Sequence, residues 1–405
     1  MSRIVAADDS RLQEGIYFRK EDRTGSCYRL LVLNINPDTS RAKAKAAIAI
    51  VWAMLEELKQ GVVTELRAAD GSVSVGVPHG NLKCLLGFGA RLFDRYPDLS
   101  RPNELKRLGD QPSPFPSLHW SADADRDAGE GELALQFTAD TELAVARAVV
   151  EVWMLIKSQR LPFEIVTFHS GFNRDDRRGW LGFHDGISNI EYDQRRRALE
   201  VVRRDPPLPP DPDWMLGGTY MGFLRLTVDL EAWRRLKREE QEILVGRDKL
   251  TGCPIESIDQ AMHPVPLAGC PFANRARSAE YKNAPLPPHG QELLSASHIQ
   301  RANLNRHRGP MTDDDNRIFR QGYEFVEPLR GGQLRLGLNF VSFQRNLMHL
   351  TNILRTPGWL GNANFGGPAV TQPGEPRGID LVELMSGGYY AVPPKGDPFP
   401  GAAIF

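Results

Sequence analysis

The stretch GWLGFHDGISNI, residues 179 to 190, sets one acidic side chain between glycines. Glycine adopts backbone angles that other residues resist and lets the backbone approach a ligand closely. Gly182 and Gly186 are therefore expected to form a tight loop that presents the Asp185 carboxylate to a pocket. An ordinary surface turn is the alternative, because Gly and Asp are common in turns of every kind.

Two stretches further along the chain carry candidate residues. SHIQRANLNRHR, residues 297 to 308, combines histidine with arginine, and NRIFRQGYEF, residues 316 to 325, contains two arginines. A neutral imidazole is a common metal ligand, and a guanidinium that keeps its proton can stabilise developing negative charge. The chain has nine histidines, and no spacing typical of zinc sites, such as H-E-x-x-H, joins them. A single histidine alone is more commonly a surface or packed residue, so its surroundings must decide.

Two acidic stretches are not expected to carry chemistry. The stretch DADRDAGEGE, residues 123 to 132, resembles a calcium-binding loop, but Ala128 and Ala134 stand where such a loop needs Gly and Glu. The run Asp313 to Asp315 is expected to be a solvated turn.

The cysteines follow neither a metal-binding nor a disulfide pattern, because C-x-x-C spacing is missing. The four cysteines are Cys27, Cys84, Cys253 and Cys270. Free, mostly buried thiols are the expectation. The N-terminal MSRIVAADDSRLQEGIYFRKEDR has no apolar signal region and no twin-arginine motif, and an apolar run of roughly 18 residues occurs nowhere. These features predict a cytoplasmic protein without a membrane partner.

The composition is that of an ordinary globular protein of 405 residues, long enough for two domains. Lys and Arg total 50 and Asp and Glu total 51, so no net field draws the whole protein to nucleic acid. No nucleic-acid partner is expected.

The first half of the chain predicts two helices and four strands. One helix follows Ser40 as N-cap and stops near Gly61, and the other covers Thr141 to Gln159. The strands are expected at Tyr28 to Ile35, Ser72 to Val77, Glu132 to Phe137 and Phe163 to His169.

The second half repeats this order. Its helices are expected at Leu230 to Gly246 and within Arg345 to Leu354. Its strands are expected at Thr219 to Val228, Gly322 to Glu327, Arg335 to Gln344 and Gly387 to Pro393.

Both halves thus have the order β-α-β-β-α-β, and the predicted fold class is α+β with duplicated ferredoxin-like units. The proline-rich DPPLPPDPD, residues 205–213, separates an N-terminal unit, residues 1–204, from a C-terminal unit, residues 214–405. The first unit carries the GFHDG loop. The second has a long insertion at about 250–297, expected to be irregular and to cover part of a site.

Together with GFHDG, the stretches HIQRANLNR and RQGYEF resemble the motifs of the haem-dependent dye-decolourising peroxidases: G-x-x-D-G, an H-I-R-R-A-N-P-R type motif and an R-R-G-Y type strand. The likeness extends to LQEGIYF, LRLGLNFVSFQ and GGYYAVPP, and so covers almost the whole chain. It implies a peroxidase that reduces hydrogen peroxide and oxidises aromatic, dye-like electron donors through a high-valent iron-oxo intermediate. One haem b per chain would lie in the C-terminal unit.

The resemblance assigns His298 as the axial ligand of the haem iron, Asp185 as the distal carboxylate and Arg320 as the distal arginine. Asp185 would move the peroxide proton, while Arg320 would steady negative charge and keep Asp185 ionised. Activity is therefore expected to be best on the acidic side. The resemblance also implies haem contacts, with plain packing as the alternative, at Gly186, Ile187, Ser188, Asn303, Arg306, Arg320, Leu338 and Phe340.

An acid behind the axial histidine would fix its tautomer, and the candidates are Asp380, which position favours, and Glu383. The sequence departs from the family pattern at Gln300, where Arg is usual, and in ANLNR, which has an extra residue and no proline. A surface tryptophan could relay electrons from bulky donors, although each is more often a packing residue. The candidates are Trp180, Trp214, Trp233 and Trp359.

Two other functions stay open on the sequence. One is a haem-binding or haem-trafficking protein that keeps His298 but turns over little, and the other is a cofactor-free ferredoxin-like module that binds a protein partner. A carrier has no evident need for both Asp185 and Arg320, so the sequence favours catalysis. A homo-oligomer is compatible with the sequence.

Overall fold

The computed structural model describes residues 11–16, 25–72, 76–109, 115, 120–174, 176–187, 189, 211–270, 294, 296–302, 318–354 and 381–405. Among the helices in these ranges, none combines the length and the apolar character needed to cross a membrane. Helices and antiparallel strands both build the described chain, so the predicted α+β class is confirmed.

The first half of the chain forms a four-stranded antiparallel sheet. Its strands are β1 (Cys27–Ile35), β2 (Lys83–Gly89), β3 (Leu133–Ala139) and β4 (Phe163–Phe172), in the spatial order β4-β1-β3-β2. Its helices are α1 (Arg41–Lys59), α2 (Ala90–Arg95), α3 (Asn103–Gly109) and α4 (Glu142–Ser158). Helix α4 packs on β1 and β3 and also contacts α1.

The first long helix begins after the predicted cap, Ser40, and the second begins after Thr141, the first residue of its predicted range. The Ser40 hydroxyl accepts a hydrogen bond from the Lys43 N–H, and the Thr141 hydroxyl accepts one from the Ala144 N–H. Such caps satisfy backbone donors that the first helical turn leaves unpaired. Gly61 follows α1 with a φ of 77°, a conformation that favours glycine.

The predicted second strand, Ser72 to Val77, is wrong. Residues 72, 76 and 77 lie outside any strand, residues 73–75 are not described, and the sheet takes β2 instead. Every residue of β2 after Lys83 is buried. A strand buried on both faces lacks the alternation of apolar and polar residues by which a half-buried strand is found.

The second half forms another antiparallel sheet, in the order β10-β5-β9-β8, and a separate two-stranded hairpin of β6 and β7. The strands are β5 (Thr219–Val228), β6 (Ile255–Ile258), β7 (Pro264–Pro266), β8 (Phe319–Pro328), β9 (Leu334–Gln344) and β10 (Val382–Val392). The helices are α5 (Leu230–Arg235), α6 (Arg238–Val245), α7 (His298–Ala302) and α8 (Leu347–Leu354). Short 3₁₀ helices cover Thr64–Leu66, Asp127–Gly129, Asp213–Met215 and Ala402–Ile404.

The single helix predicted from Leu230 to Gly246 is two helices. Lys237 is extended between α5 and α6, and its N–H donates to Glu240 Oε2 at 2.7 Å. This capping arrangement satisfies the start of a new helix and so competes with continuation of the first. The predicted insertion is also less irregular than expected, because the β6–β7 hairpin lies within it.

The expectation of free thiols is wrong for Cys253 and Cys270, which form a disulfide. The β6–β7 hairpin reverses the chain between them, so that residues 17 apart in sequence have Cα atoms 6.0 Å apart. That separation suits a disulfide, and sequence spacing alone does not reveal it. The other two cysteines, Cys27 and Cys84, are free.

The two sheets close into one eight-stranded barrel through two short seams. Tyr390 and Ala391 of β10 pair with β2 at one seam, and Phe172 of β4 pairs with Glu324 of β8 at the other. One core cluster takes buried residues from seven of the eight strands of the barrel and therefore fills its inside. Its members include Tyr28, Phe223, Phe319, Tyr323, Val341 and Phe343.

Successive side chains of a strand point to opposite faces. Because Phe319 and Tyr323 point into the barrel, Arg320, Gly322 and Glu324 point out of it. This outer face of β8 is where the candidate site lies.

Candidate functional site

The glycine-bracketed loop has the conformation that its sequence predicts. Gly182 has a φ of 83° and Gly186 a φ of 79°, both in the left-handed region that other residues avoid. The Asp185 N–H donates to the Arg177 carbonyl at 2.9 Å, and the Gly186 N–H donates to Asp185 Oδ1 at 2.6 Å. The Asp185 side chain is exposed, with one carboxylate oxygen bonded within its own loop.

The loop docks on the outer face of β8 at three places. The Asn189 carboxamide bonds to the backbone of Arg320, and the Trp180 N–H donates to Glu324 Oε1. Between these anchors, Asp185 Oδ2 lies 3.2 Å from the position that a Cβ of residue 322 would occupy. Any larger residue in place of Gly322 would press against the carboxylate of Asp185, so glycine lets the loop lie close to the strand.

A second segment holds the loop from its other side. The Arg178 guanidinium donates to the carbonyls of Gly182, Lys249 and Leu250 at 2.8, 2.6 and 2.9 Å. Ile187 Cδ1 lies 2.5 Å from where a Cβ of Gly252 would be, and Gly252 has a φ of 79°. The segment that precedes Cys253 therefore packs directly on the loop.

His298 begins helix α7, which packs on the end of α6. A Cβ at Gly246 would lie 2.5 Å from the Ser297 hydroxyl oxygen and 2.8 Å from Ile299 Cγ1. Gly246 also ends α6 with a φ of 85°, so only glycine meets both demands without strain. The packing fixes the backbone on both sides of His298.

The His298 imidazole is neutral at ordinary pH. Burial, followed by the nearby positive charges of Arg320 and Arg247, lowers its pKa to about 3. A neutral ring keeps a lone pair for a metal ion. The effect of Arg320 on this pKa also means that the predicted axial ligand and the predicted distal arginine lie near each other.

Two apolar side chains of β9 complete the outer face. The register pairs Gly322 with Phe340 and Glu324 with Leu338, and paired residues share a face. Phe340 and Leu338 are both half-buried, which leaves apolar surface beside Arg320. Ile187 of the loop is half-buried as well. Within the described residues, the structure thus brings together Asp185, Gly186, Ile187, Arg320, Leu338 and Phe340, with His298 close to Arg320.

A direct ion pair between Asp185 and Arg320 is not part of this arrangement. Among the described residues, no hydrogen bond or salt bridge joins the two side chains. Arg320 is half-buried, and its backbone, held by Asn189, sets its position. A direct contact between the two side chains therefore does not support the expectation that Arg320 keeps Asp185 ionised.

Several predicted site residues cannot be located. Ser188, Asn303, Arg306 and Asp380 lie outside the described residues, as does Trp359. His307, the second histidine of SHIQRANLNRHR and the next candidate for an axial ligand after His298, lies outside them as well. Glu383, the other candidate for the acid behind His298, is half-buried in β10 opposite Thr227 of β5. The choice between Asp380 and Glu383 stays a prediction.

Sequence reasoning missed Asn189 and Glu324. Asn189 follows the GFHDG loop by three residues, and its amide group was the available signal, since amides often pair with backbone groups. Glu324 stands in an apolar strand, where an acidic residue suggests a face exposed to solvent. In the structure, however, Glu324 is only 7% exposed. Burial raises the pKa of Glu324 to about 7; the Trp180 N–H and Arg174 lower it, while Asp185 and Asp176 raise it.

The described ranges contain no group of three or more His, Cys, Asp or Glu residues arranged to hold a metal ion. A single imidazole such as His298 suits a metal that a prosthetic group already coordinates.

Two family models match the chain. The N-terminal model of the Dyp-type peroxidases covers residues 24–173, and the C-terminal model covers residues 176–396. Deferrochelatase of Escherichia coli (strain K12) is 26% identical over 280 residues, which cover 66% of this chain and 58% of the relative. Deferrochelatase of Shigella sonnei (strain Ss046) is 26% identical over 278 residues with the same coverage. The chain therefore spans less than two thirds of the length of these relatives.

Solved structures share the fold at low identity. Ferric DtpA from Streptomyces lividans has a TM-score of 0.70 and 18% identity, covering 94% of this chain and 93% of its own. A DyP-type peroxidase from Cellulomonas bogoriensis has a TM-score of 0.66 and 20% identity, covering 98% and 99%. These likenesses extend over almost the entire chain but concern the fold alone.

Proposed function

The chain belongs to the Dyp-type peroxidase family, and from this premise we propose that it is a haem-dependent peroxidase that reduces hydrogen peroxide and oxidises small aromatic, dye-like donors. The observation that carries the proposal is the docking of Asp185 over Gly322, two residues from Arg320 on the same face of β8. His298 lies close enough for Arg320 to lower its pKa. The proposal is supported by a carboxylate and a guanidinium on one face of β8 and by a neutral imidazole whose pKa that guanidinium lowers.

The residues of the site fit a haem. The neutral His298 imidazole has the donor chemistry of an axial ligand, and the half-buried Leu338 and Phe340 offer apolar surface to a flat macrocycle. The missing side chain at Gly322 lets the Asp185 carboxylate and Leu338 Cδ1 both approach the strand closely, each 3.2 Å from where a Cβ would lie, so the carboxylate lies beside this apolar surface. One haem b per chain, bound through His298, is the composition we propose.

Each polar residue then has a separate task. Bound haem would supply the redox chemistry: it would donate two electrons to peroxide and regain two electrons from the aromatic donor. Asp185, exposed at the tip of its loop, would take the proton from one peroxide oxygen and return it to the other. Arg320, which keeps its charge at every relevant pH, would stabilise negative charge on the departing oxygen.

The architecture supports a duplicated origin. Both sheets have the first strand in second place and the last strand at an edge, in the orders β4-β1-β3-β2 and β10-β5-β9-β8. We interpret them as two ferredoxin-like units, residues 1–204 and 214–405, with the haem held by the second unit. The first contributes the loop with Asp185.

A cytoplasmic location remains a proposal, and the Cys253–Cys270 disulfide counts against it, because thiols usually stay reduced in that compartment.

Trp180, Trp214 and Trp233 each pack on a ring or bond to a carbonyl, as structural tryptophans do.

A second candidate function comes from the curated relatives. They are named deferrochelatase, a name for the removal of iron from a chelate. The same His298 could hold haem for iron release or transfer, with little peroxide turnover. Asp185 and Arg320 would then be less important than they are for peroxide chemistry.

Haem loading followed by turnover separates these functions. The full chain, supplied with haem, should show a Soret band and should oxidise an aromatic donor with peroxide faster than free haem does. Absence of the Soret band would reject both haem functions and leave a cofactor-free binding module. A Soret band with iron release but no donor oxidation would favour the deferrochelatase type.

A further inference from the structure

The Glu324 side chain lies between β8 and the loop that carries Asp185. Its Oε1 accepts the Trp180 N–H and lies 3.2 Å from the position of a Cβ at Gly179. The residue is 7% exposed. Glu324 is therefore one of the anchors of the docked loop, on the same strand face as Arg320.

The second carboxylate oxygen of Glu324 is buried without compensation. Within the described part of the chain, no donor reaches Oε2. An ionised carboxylate in this position carries a large desolvation penalty, whereas a neutral carboxyl group carries a small one. The docked loop therefore favours the protonated form.

The charged groups around Glu324 do not remove this penalty. Arg174 lowers the pKa of Glu324, and Asp176 and Asp185 raise it. The residues paired with Glu324 on the adjacent strands, Leu338 of β9 and Phe172 of β4, are apolar. Burial is the largest influence, and the result is a pKa of about 7.

Opening of the loop would return Glu324 to water and its pKa toward the ordinary value of 4.5. The docked loop thus binds a proton more tightly than the open loop. Because the docked state binds the proton more tightly, docking becomes less favourable as pH rises from 4.5, the ordinary pKa of the carboxyl group, to about 7, its pKa in the docked loop.

We propose that Glu324 is a positioning residue: its neutral form holds the Asp185 loop on β8, and its ionised form loosens the loop. The consequence for catalysis rests on the proposed function. Asp185 is well placed for peroxide in acid and less well placed above neutral pH.

Amide hydrogen exchange in the full chain tests the docking directly. In the wild type, the protection factor of the Trp180 amide, corrected for intrinsic exchange, should fall at least about tenfold between about pH 5.5 and about pH 8. Glu324→Gln keeps an acceptor for this N–H and does not titrate, so its protection should change by less than about twofold. Glu164→Gln, at an exposed position of β4, should behave as the wild type.

The wild-type profile can reject the proposal by itself, whatever the variants do. Constant protection of Trp180 across the range would overturn it, and so would an equal fall in Glu324→Gln. The rate of the haem-loaded protein with hydrogen peroxide gives a second readout: its decline near pH 7 should be absent in Glu324→Gln. If exchange follows the prediction while the protein binds no haem, the proposed function fails and the pH-dependent docking stands. If the haem-loaded protein reacts normally with peroxide while the protection of the Trp180 amide does not change with pH, the pH-dependent docking fails and the proposed function stands.

Discussion

The Asn189 carboxamide pairs with both backbone groups of Arg320, donating through Nδ2 to the carbonyl at 2.7 Å and accepting the N–H through Oδ1 at 3.0 Å. This pairing has a structural reason. One edge of β8 pairs with β9 along its whole length. On the opposite edge β4 pairs with β8 only at Glu324, so in the described structure no strand lies beside Arg320 on that edge. One amide side chain takes that place and ties the Asp185 loop to the arginine.

Replacing Asn189 with Ala should slow the reaction with hydrogen peroxide by about 10- to 100-fold, because a displacement of about 1 Å of a catalytic group can cost that much. Haem content should stay normal, since Asn189 bonds the backbone of Arg320 and is not itself a proposed haem ligand. Stopped-flow absorbance of the haem-loaded protein gives the rate. Asn36→Ala, an exposed asparagine in the turn after β1, is the control and should react at the wild-type rate. An unchanged rate in Asn189→Ala would show that the pairing does not position the site.

The buried Glu324 also predicts how stability depends on pH. Its pKa is raised from 4.5 to about 7, so between these values the folded protein holds a proton that the unfolded chain has lost. The free energy of unfolding should therefore fall as pH rises through this window, by at most about 3 kcal/mol relative to Glu324→Gln. Urea unfolding at several pH values measures the difference. A difference that is constant with pH would contradict the assignment.

The sequence predicts the parts of this site that depend on local chemistry. Gly182 and Gly186 have the positive φ angles that their bracketing of Asp185 suggested, and the cap at Ser40 starts the first long helix as expected. The α+β class follows from the same local patterns.

What the sequence could not provide depends on distant contacts. Asn189 and Arg320 are 131 residues apart, and nothing local pairs them. Glu324 is buried by the loop that docks on it, which strand periodicity cannot show. The true second strand, β2, was missed because burial on both faces removed its alternation. The disulfide of Cys253 needed the hairpin between its two residues.

His298→Ala should lose haem or bind it with a changed spectrum, because the imidazole is the proposed protein bond to iron. The absorption spectrum and haem content of the purified full chain measure this. The exposed His263, replaced with Ala, is a matched control and should keep the wild-type spectrum. Normal haem content with an unchanged spectrum in His298→Ala would move the ligand elsewhere, with His307 as the next candidate.

The disulfide predicts a thiol count. Maleimide labelling of the unfolded chain should find two thiols without reductant, Cys27 and Cys84, and four after reduction. Cys253→Ser should lower the free energy of unfolding by about 2 to 4 kcal/mol, as for other native disulfides, whereas Cys27→Ser should change it little. Four thiols without reductant would contradict the disulfide.

The central claim is that Asp185 and Arg320 act together on peroxide from one face of β8, and it is tested most directly by stopped-flow reaction of the haem-loaded protein with hydrogen peroxide. Asp185→Asn should lower the rate by about 10² to 10⁴, and Arg320→Leu by about 10² to 10³ or more, with haem bound normally in both. Arg330→Leu, an exposed arginine beyond the end of β8, should react as the wild type. If both site variants bind haem and react with peroxide at the wild-type rate, the account is wrong, and the glycine-bracketed aspartate is an ordinary turn.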